Sequence, residues 1–177
     1  MIAGLSKAAE KIKDEETALI ALDWLNGRRT PFANQELKGA ITGITLGSDA
    51  PRIFRALVEA TAFGAKMIND RFISEGVKID GVIAIGGVAK KNPFVMQIVA
   101  DVLNVPIRVA SSDQTVALGA AMAASVVAGV HPDMTAAQKA MGGGFEKVYK
   151  PDPVSARRYE TLFSKYKKLG EFVEKEM

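Results

Sequence analysis

Phosphate groups are held in α/β proteins by backbone amides that converge where a strand ends in glycines and a helix begins. The stretch Gly81-Val-Ile-Ala-Ile-Gly86-Gly87-Val-Ala-Lys-Lys-Asn92-Pro93-Phe-Val-Met-Gln97 has these parts in this order. Val82, Ile83 and Ile85 form a short apolar run suited to a central parallel strand, and Gly86-Gly87 removes every side chain where the backbone must turn. Asn92 can cap the helix that follows, and Pro93 fits its first turn. Free amides and the positive end of a helix dipole would then face a phosphate or nucleotide over the glycines. The same pattern also makes an ordinary tight turn with no ligand, and that reading stays open. A dinucleotide fingerprint does not fit, because the third glycine is missing and Lys90-Lys91 occupy the turn.

Other chemistry-bearing residues are sparse. Asp23 and Arg28 lie in the loop Asp23-Trp-Leu-Asn-Gly-Arg-Arg-Thr-Pro31, where the aspartate reads better as a loop-fixing acceptor than as a general base. Arg28 or Arg29 is expected to pair with Glu36 or Asp49. Glu59 falls in the middle of an apolar helical face and must find a partner if buried, which makes its expected role structural. The chain has no cysteine and one histidine, His131 in a helix-end loop, so disulfides, thiolate metal sites and an imidazole base are not expected.

The elements that must position these groups follow an alternation of strands and helices, the pattern of an α/β domain with a largely parallel sheet. A short helix is expected over residues 3–13 and a buried strand over 18–22. Ser48 or Asp49 followed by Pro51 starts a long helix with Ile53, Phe54, Leu57, Val58, Ala62, Ala65 and Ile68 near one face, ended by Gly76. After the glycine turn, an apolar helix through Leu103 leads to a strand over 105–109. Asp113 is expected to cap an alanine-rich helix over 114–128, closed by Gly129, whose small residues from Ala117 to Ala124 suit close packing of a neighbouring helix or, less readily, a ligand. Gly142-Gly143-Gly144 reads as a connector to a strand over 145–149, since no Lys-Ser/Thr follows it. From Val154 onward, Tyr159, Leu162, Phe163, Tyr166, Leu169 and Val173 recur at helical spacing, which predicts an amphipathic docking helix.

Bulk properties set the frame. The 177 residues, 48% hydrophobic and 24% charged with a net charge of +3, describe one ordinary globular domain. No aromatic-studded basic stripe suggests nucleic acid, no apolar run suggests a membrane span, and the charged N-terminal stretch does not read as a signal peptide, so a cytoplasmic location is expected.

Taken together, the motifs resemble the C-terminal domain of the FGGY carbohydrate kinases, most of all those of the L-ribulokinase branch. The resemblance is colinear over nearly the whole chain. It runs through Ala21-Leu-Asp-Trp-Leu-Asn-Gly-Arg-Arg-Thr-Pro31, Gly39-Ala-Ile-Thr-Gly-Ile-Thr-Leu46, Ile53 to Gly64, the glycine turn through Val102, and Gln114-Thr-Val-Ala-Leu-Gly-Ala-Ala121. Arg28 stands where most relatives outside the ribulokinases have Glu, and Lys90-Lys91 replace the small residues that many sugar kinases carry after the glycines. The resemblance implies an actin-like (ribonuclease H-like) ATPase fold, of which residues 1–177 would be the nucleotide-binding half, with a partial sheet and flanking helices. It implies a fragment: the sugar-binding domain and the catalytic aspartate would lie upstream, so no catalytic residue is expected here.

The implied reaction is transfer of the γ-phosphoryl group of Mg-ATP to a ketopentose, L-ribulose giving L-ribulose 5-phosphate, with xylulokinase or another pentose or polyol kinase as alternatives. On this reading Gly86 and Gly87 bring amides to the phosphates or ribose, Asn92 bonds adenine or ribose, and Val88 and Ala89 line the base. Gln114 is a further candidate contact. For Val88 and Ala89 simple turn packing is an equal alternative, and Gln114 is the weaker candidate because Asp113-Gln114 also suits a helix cap. A non-catalytic α/β interaction module is the competing class. If leading strands are missing, the exposed sheet edge implies self-association into a homo-oligomer.

Overall fold

Apolar spacing and capping residues fix the long elements. The computed structural model describes residues 2–12 and 19–176. Helix α1 spans Ile2–Glu10 and is followed by a two-stranded antiparallel ribbon, β1 (Ile20–Ala21) with β2 (Ile41–Thr42), in which Ile20 faces Thr42. Helix α2, Ala50–Ser74, starts where the Asp49 carboxylate accepts the Arg52 amide, with Pro51 in the first turn, and its chain reverses at Gly76, whose φ is +83°. Then come β3 (Val82–Ala84), α3 (Gly87–Lys91), α4 (Pro93–Leu103), β4 (Ile107–Ala110), α5 (Thr115–Val127), α6 (Met134–Met141), β5 (Phe145–Tyr149) and α7 (Pro153–Glu176). The expected strand over 18–22 is found at Ile20–Ala21, and Ala18 lies outside the described residues.

The second sheet has the order β3-β4-β5. β3 and β4 run parallel, with Val82 opposite Ile107, and β5 returns antiparallel, with Ile107 opposite Tyr149. This corrects the expectation of a buried central strand for residues 82–85. β3 is an edge strand, and Ile83 and Ile85 stay 60% and 50% exposed. The apolar run is present, but among the described residues no strand pairs with β3's outer edge.

α7 docks as its pattern requires. Tyr159, Phe163 and Tyr166 surround Phe63 of α2 with ring centroids 6.2, 5.8 and 5.4 Å away. Leu22, Trp24, Ile98 and Val102 complete this core, and a smaller cluster of Ala89, Met96, Leu103, Ile107, Val109 and Tyr149 lies under the sheet. Burying side chains of this size is worth about 1.5–3 kcal/mol each, so these two clusters carry the fold. Glu59, 2% exposed, sits inside the larger one. Its carboxylate accepts Arg55 Nε at 2.9 Å and the Tyr159 hydroxyl at 3.2 Å, with Arg158 at 3.8 Å. Burial pushes this carboxyl up, and the Arg55 guanidinium holds it down.

The alanine-rich helix departs from expectation. α5 packs mainly on α6, with Met122 the buried residue of α5 and Ala137 that of α6, and Ala117, Gly119, Ala120, Ala121, Ala123 and Ala124 remain exposed. Small side chains permit close approach but bury too little area to enforce it. α6 itself, capped where Asp133 accepts the Ala136 amide, was not anticipated. No described helix is long and apolar enough to cross a membrane.

Candidate functional site

The carboxyl ends of adjacent parallel strands are where open α/β sheets take ligands. Here the ends of β3 and β4 carry Gly86-Gly87 and the segment Ser111-Ser-Asp-Gln114. Gly86 has φ +86° and ψ 179°, a conformation that strains any residue with a Cβ. A Cβ on Gly86 or Gly87 would meet no heavy atom within 4 Å, so the space over the turn is open. Val88, 63% exposed, stands beside it, whereas Ala89 is buried at 4% and packs into the smaller core. Any contact of Ala89 with a ligand would therefore be through its backbone.

The proline-initiated helix does not begin at the glycines. A separate helix of five residues, α3, comes between, and α4 begins behind it. Asn92 caps α4 by accepting the Val95 amide at 3.3 Å and donates its side-chain amide to Ser6 Oγ of α1 at 3.1 Å. Both ends of this side chain are engaged, so it anchors α4 and α1 as the structure stands.

Asp113 was expected to cap α5, and it does not. Its carboxylate accepts Lys90 Nζ at 2.6 Å, while the Gln114 amide is taken by Ser112 Oγ at 3.2 Å and Gln114 becomes the N-cap without a side-chain bond. A cation across the crevice outcompetes a neutral amide for a carboxylate. The pairing holds the Asp113 carboxyl below, and the Lys90 ammonium above, its ordinary range. Gln114 is exposed in the segment that follows β4, whose carboxyl end lies beside that of β3 in the parallel pair.

The residues of the first loop gather elsewhere. Asp23, Trp24, Arg28, Gly64 and Tyr166 line a cavity of about 500 Å³ between that loop, α2 and α7. Asp23 accepts the Tyr166 hydroxyl at 2.9 Å, and burial raises its carboxyl. It is the loop-fixing acceptor that was expected. Arg28 instead corrects the expectation of a partner at Glu36 or Asp49. Its guanidinium forms two 2.8 Å bonds to Glu174 of α7 and lies over the Trp24 ring, while Asp49 pairs with Arg52. The two residues are 146 positions apart, beyond the reach of local pattern. The sequence also gave no sign that Lys90 bridges two turns; the two unexplained lysines after the glycines were the available signal. Among the described residues, no group of three acidic or imidazole side chains converges to hold a metal.

Residues 3–128 match the model of the C-terminal domain of the FGGY family of carbohydrate kinases. The chain is 51% identical over 174 residues to a ribulokinase of Vibrio parahaemolyticus, covering 96% of this chain and 30% of that enzyme. It is 42% identical over 172 residues to a ribulokinase of Geobacillus thermodenitrificans, again covering 30% of the relative. Among solved structures, a ligand-bound xylulose kinase from Lactobacillus acidophilus superimposes with a TM-score of 0.88 at 26% identity, over 98% of this chain and 35% of that one. The chain thus spans about a third of the length of the proteins it matches, and its fold is that of an actin-like ATPase domain. It belongs to the FGGY family of carbohydrate kinases.

Proposed function

We propose that this chain is the nucleotide-binding portion of an ATP-dependent sugar kinase that converts L-ribulose to L-ribulose 5-phosphate in the full-length enzyme. The observation that carries the reading is the open glycine turn at the carboxyl end of β3, beside Gln114 at the end of β4, in a chain colinear with ribulokinases. Gly86 and Gly87 let backbone amides approach the phosphates or ribose, Val88 and Ala89 shape one wall, and Gln114 supplies a polar group from the other. Asn92 serves mainly by fixing α4, with adenine or ribose contact following if its bond to Ser6 is exchanged. In phosphoryl transfer most of the acceleration comes from positioning and charge stabilisation. This chain's share is to orient the nucleotide while an aspartate outside it takes the sugar proton. Mg2+ enters with the phosphates as part of the nucleotide substrate, consistent with its habit of keeping few protein ligands. The protein is placed in the cytoplasm, where the nucleotide is.

Calorimetric titration of Mg-ADP, with Mg-GDP as control, tests the reading. Saturable, adenine-selective binding is expected, and Gly87→Val should abolish it without unfolding the chain, because the added side chain enters open space. Wild-type binding that Gly87→Val leaves intact would move the site away from the glycines. An absence of binding in both this chain and its full-length parent would favour a non-catalytic interaction module. A sugar screen on the full-length parent separates L-ribulose from xylulose and other polyols. The outer edge of β3 and the exposed Ile83, Ile85, Val116 and Val127 support self-association. A monomeric elution profile at every concentration would count against it.

A further inference from the structure

Lys90 sits at the end of α3, four positions after the first glycine of the turn, with its side chain only 16% exposed. Its ammonium donates to the Ser111 carbonyl at 2.6 Å and to Asp113 Oδ1 at 2.6 Å, and it lies 3.3 Å from Glu146 of β5. One cation therefore ties together the turn after β3, the turn after β4 and the strand β5. The far side of this tie is itself fixed. The Ser111 amide donates to the Gly144 carbonyl at 3.1 Å, and the Ser111 hydroxyl donates to the Gly143 carbonyl at 2.6 Å. The approach is close enough that a Cβ on Gly143 would come within 2.6 Å of Ser111 Oγ. On the near side, α3 is held by buried Ala89 and by the Asn92 amide on the Val88 carbonyl at 3.0 Å. The two carboxylates and the carbonyl satisfy all three Lys90 protons. Lys91, the next residue, is exposed.

We propose that Lys90 is a positioning residue of the nucleotide site: it does not bind phosphate but acts as a strut that sets the distance between the Gly86-Gly87 turn and Gln114. The inference rests on the nucleotide-binding reading above. It assigns opposite roles to two adjacent lysines, with Lys90 spent on the protein and Lys91 left as the cation available to an anionic ligand.

Three variants separate a strut from a phosphate contact: Lys90→Met, Lys90→Arg and the double change Asp113→Asn with Glu146→Gln. Mg-ADP affinity is read by calorimetry, and amide exchange over residues 86–91 and 111–116 is read without ligand. For a strut, Lys90→Met and the double variant both weaken Mg-ADP binding by about five- to tenfold, the scale of losing a charge-assisted bond and its local order. Both also accelerate exchange in the two segments, and Lys90→Arg retains most of the wild-type behaviour. If Lys90 instead touched the phosphates, freeing it from its carboxylates would leave affinity unchanged or raise it, and that result overturns the proposal. So does unchanged affinity in Lys90→Met. Should neither the wild-type chain nor its full-length parent take up Mg-ADP, the nucleotide reading fails on its own account. The strut is then judged by exchange alone, and unchanged protection in both altered proteins refutes it. If Lys90→Met does not fold, the double variant, changed only at exposed carboxylates, carries the test.

Discussion

Replacing Glu59 with leucine should be the most damaging single exchange of a charged residue for its size. The carboxylate lies in the aromatic core at 2% exposure and is the counter-charge of Arg55, itself 5% exposed. In Glu59→Leu the Arg55 guanidinium keeps its 2.6 Å bond to the Ile12 carbonyl but loses the buried Glu59 carboxylate 2.9 Å from its Nε, and the Tyr159 hydroxyl loses its acceptor. Breaking one side of a buried pair costs about 3–5 kcal/mol, because the surviving charge stays out of water. That is a large part of the roughly 5–15 kcal/mol that keeps a domain folded. For a domain of this size each kcal/mol moves Tm by roughly 2–4 °C, so a fall of about 6–20 °C is expected. Arg55→Met combined with Glu59→Leu removes both charges into apolar groups of similar volume and should recover most of the loss. Thermal and urea unfolding followed by circular dichroism measure both, with the urea slope checking that the denatured state is comparable. A Glu59→Leu protein within about 1 kcal/mol of wild type, or a double variant no more stable than the single one, would refute the view that breaking the buried Arg55–Glu59 pair dominates this site.

Three smaller perturbations test other parts of the structure. Gly86→Ala should destabilise by about 1–2 kcal/mol, the cost of a Cβ at φ +86°, while Gly87→Ala should be neutral or slightly stabilising, and chemical denaturation of the pair compares them directly. The Arg28 guanidinium holds the Glu174 carboxyl below its usual 4.5, so their pairing contributes stability above that pH and loses it as pH falls through the depressed value; Glu174→Gln should flatten the acid limb of a Tm-against-pH curve, and an unchanged limb would contradict the pairing. Burial raises the Asp23 carboxyl above 3.8, so its charge opposes folding increasingly as pH rises through the raised value; Asp23→Asn, which keeps an acceptor for Tyr166, should gain on wild type in Tm from acid to neutral pH, whereas Asp23→Ala should lose the bond at every pH.

The parts of the fold that were legible in the sequence are those fixed by neighbours in the chain. Asp49 with Pro51 and Asn92 with Pro93 mark helix starts because a cap and its amide lie within three residues, and the stripe from Tyr159 to Val173 needs only the helical period. The misses are choices among partners that the chain brings together from afar. Asp113 had a local amide to cap and took a lysine 23 residues earlier, and Arg28 passed over nearby acids for Glu174. Ile83 and Ile85 have the composition of a buried strand, but burial depends on what lies on the other side of β3, which composition does not encode. The glycine turn was legible as a turn with room above it; the strut that shapes it was not, since a lysine pair after glycines looks the same whether it faces ligand or protein.

The docking of α7 on α2 carries a consequence for how the protein is made. Glu59 waits for Tyr159, 100 residues later, and Asp23 waits for Tyr166, 143 residues later. At synthesis rates of about 5–20 residues per second, the apolar face of α2 is outside the ribosome for roughly 5–20 s before the helix that covers it exists. During that interval Phe63, Ala60 and the half-built core are open to chaperones and to other nascent chains. α7 thus acts as a clasp on a structure that stays open until that helix has been made. Yield of folded protein should therefore respond to chaperone supply and to codon choice in the stretch before α7.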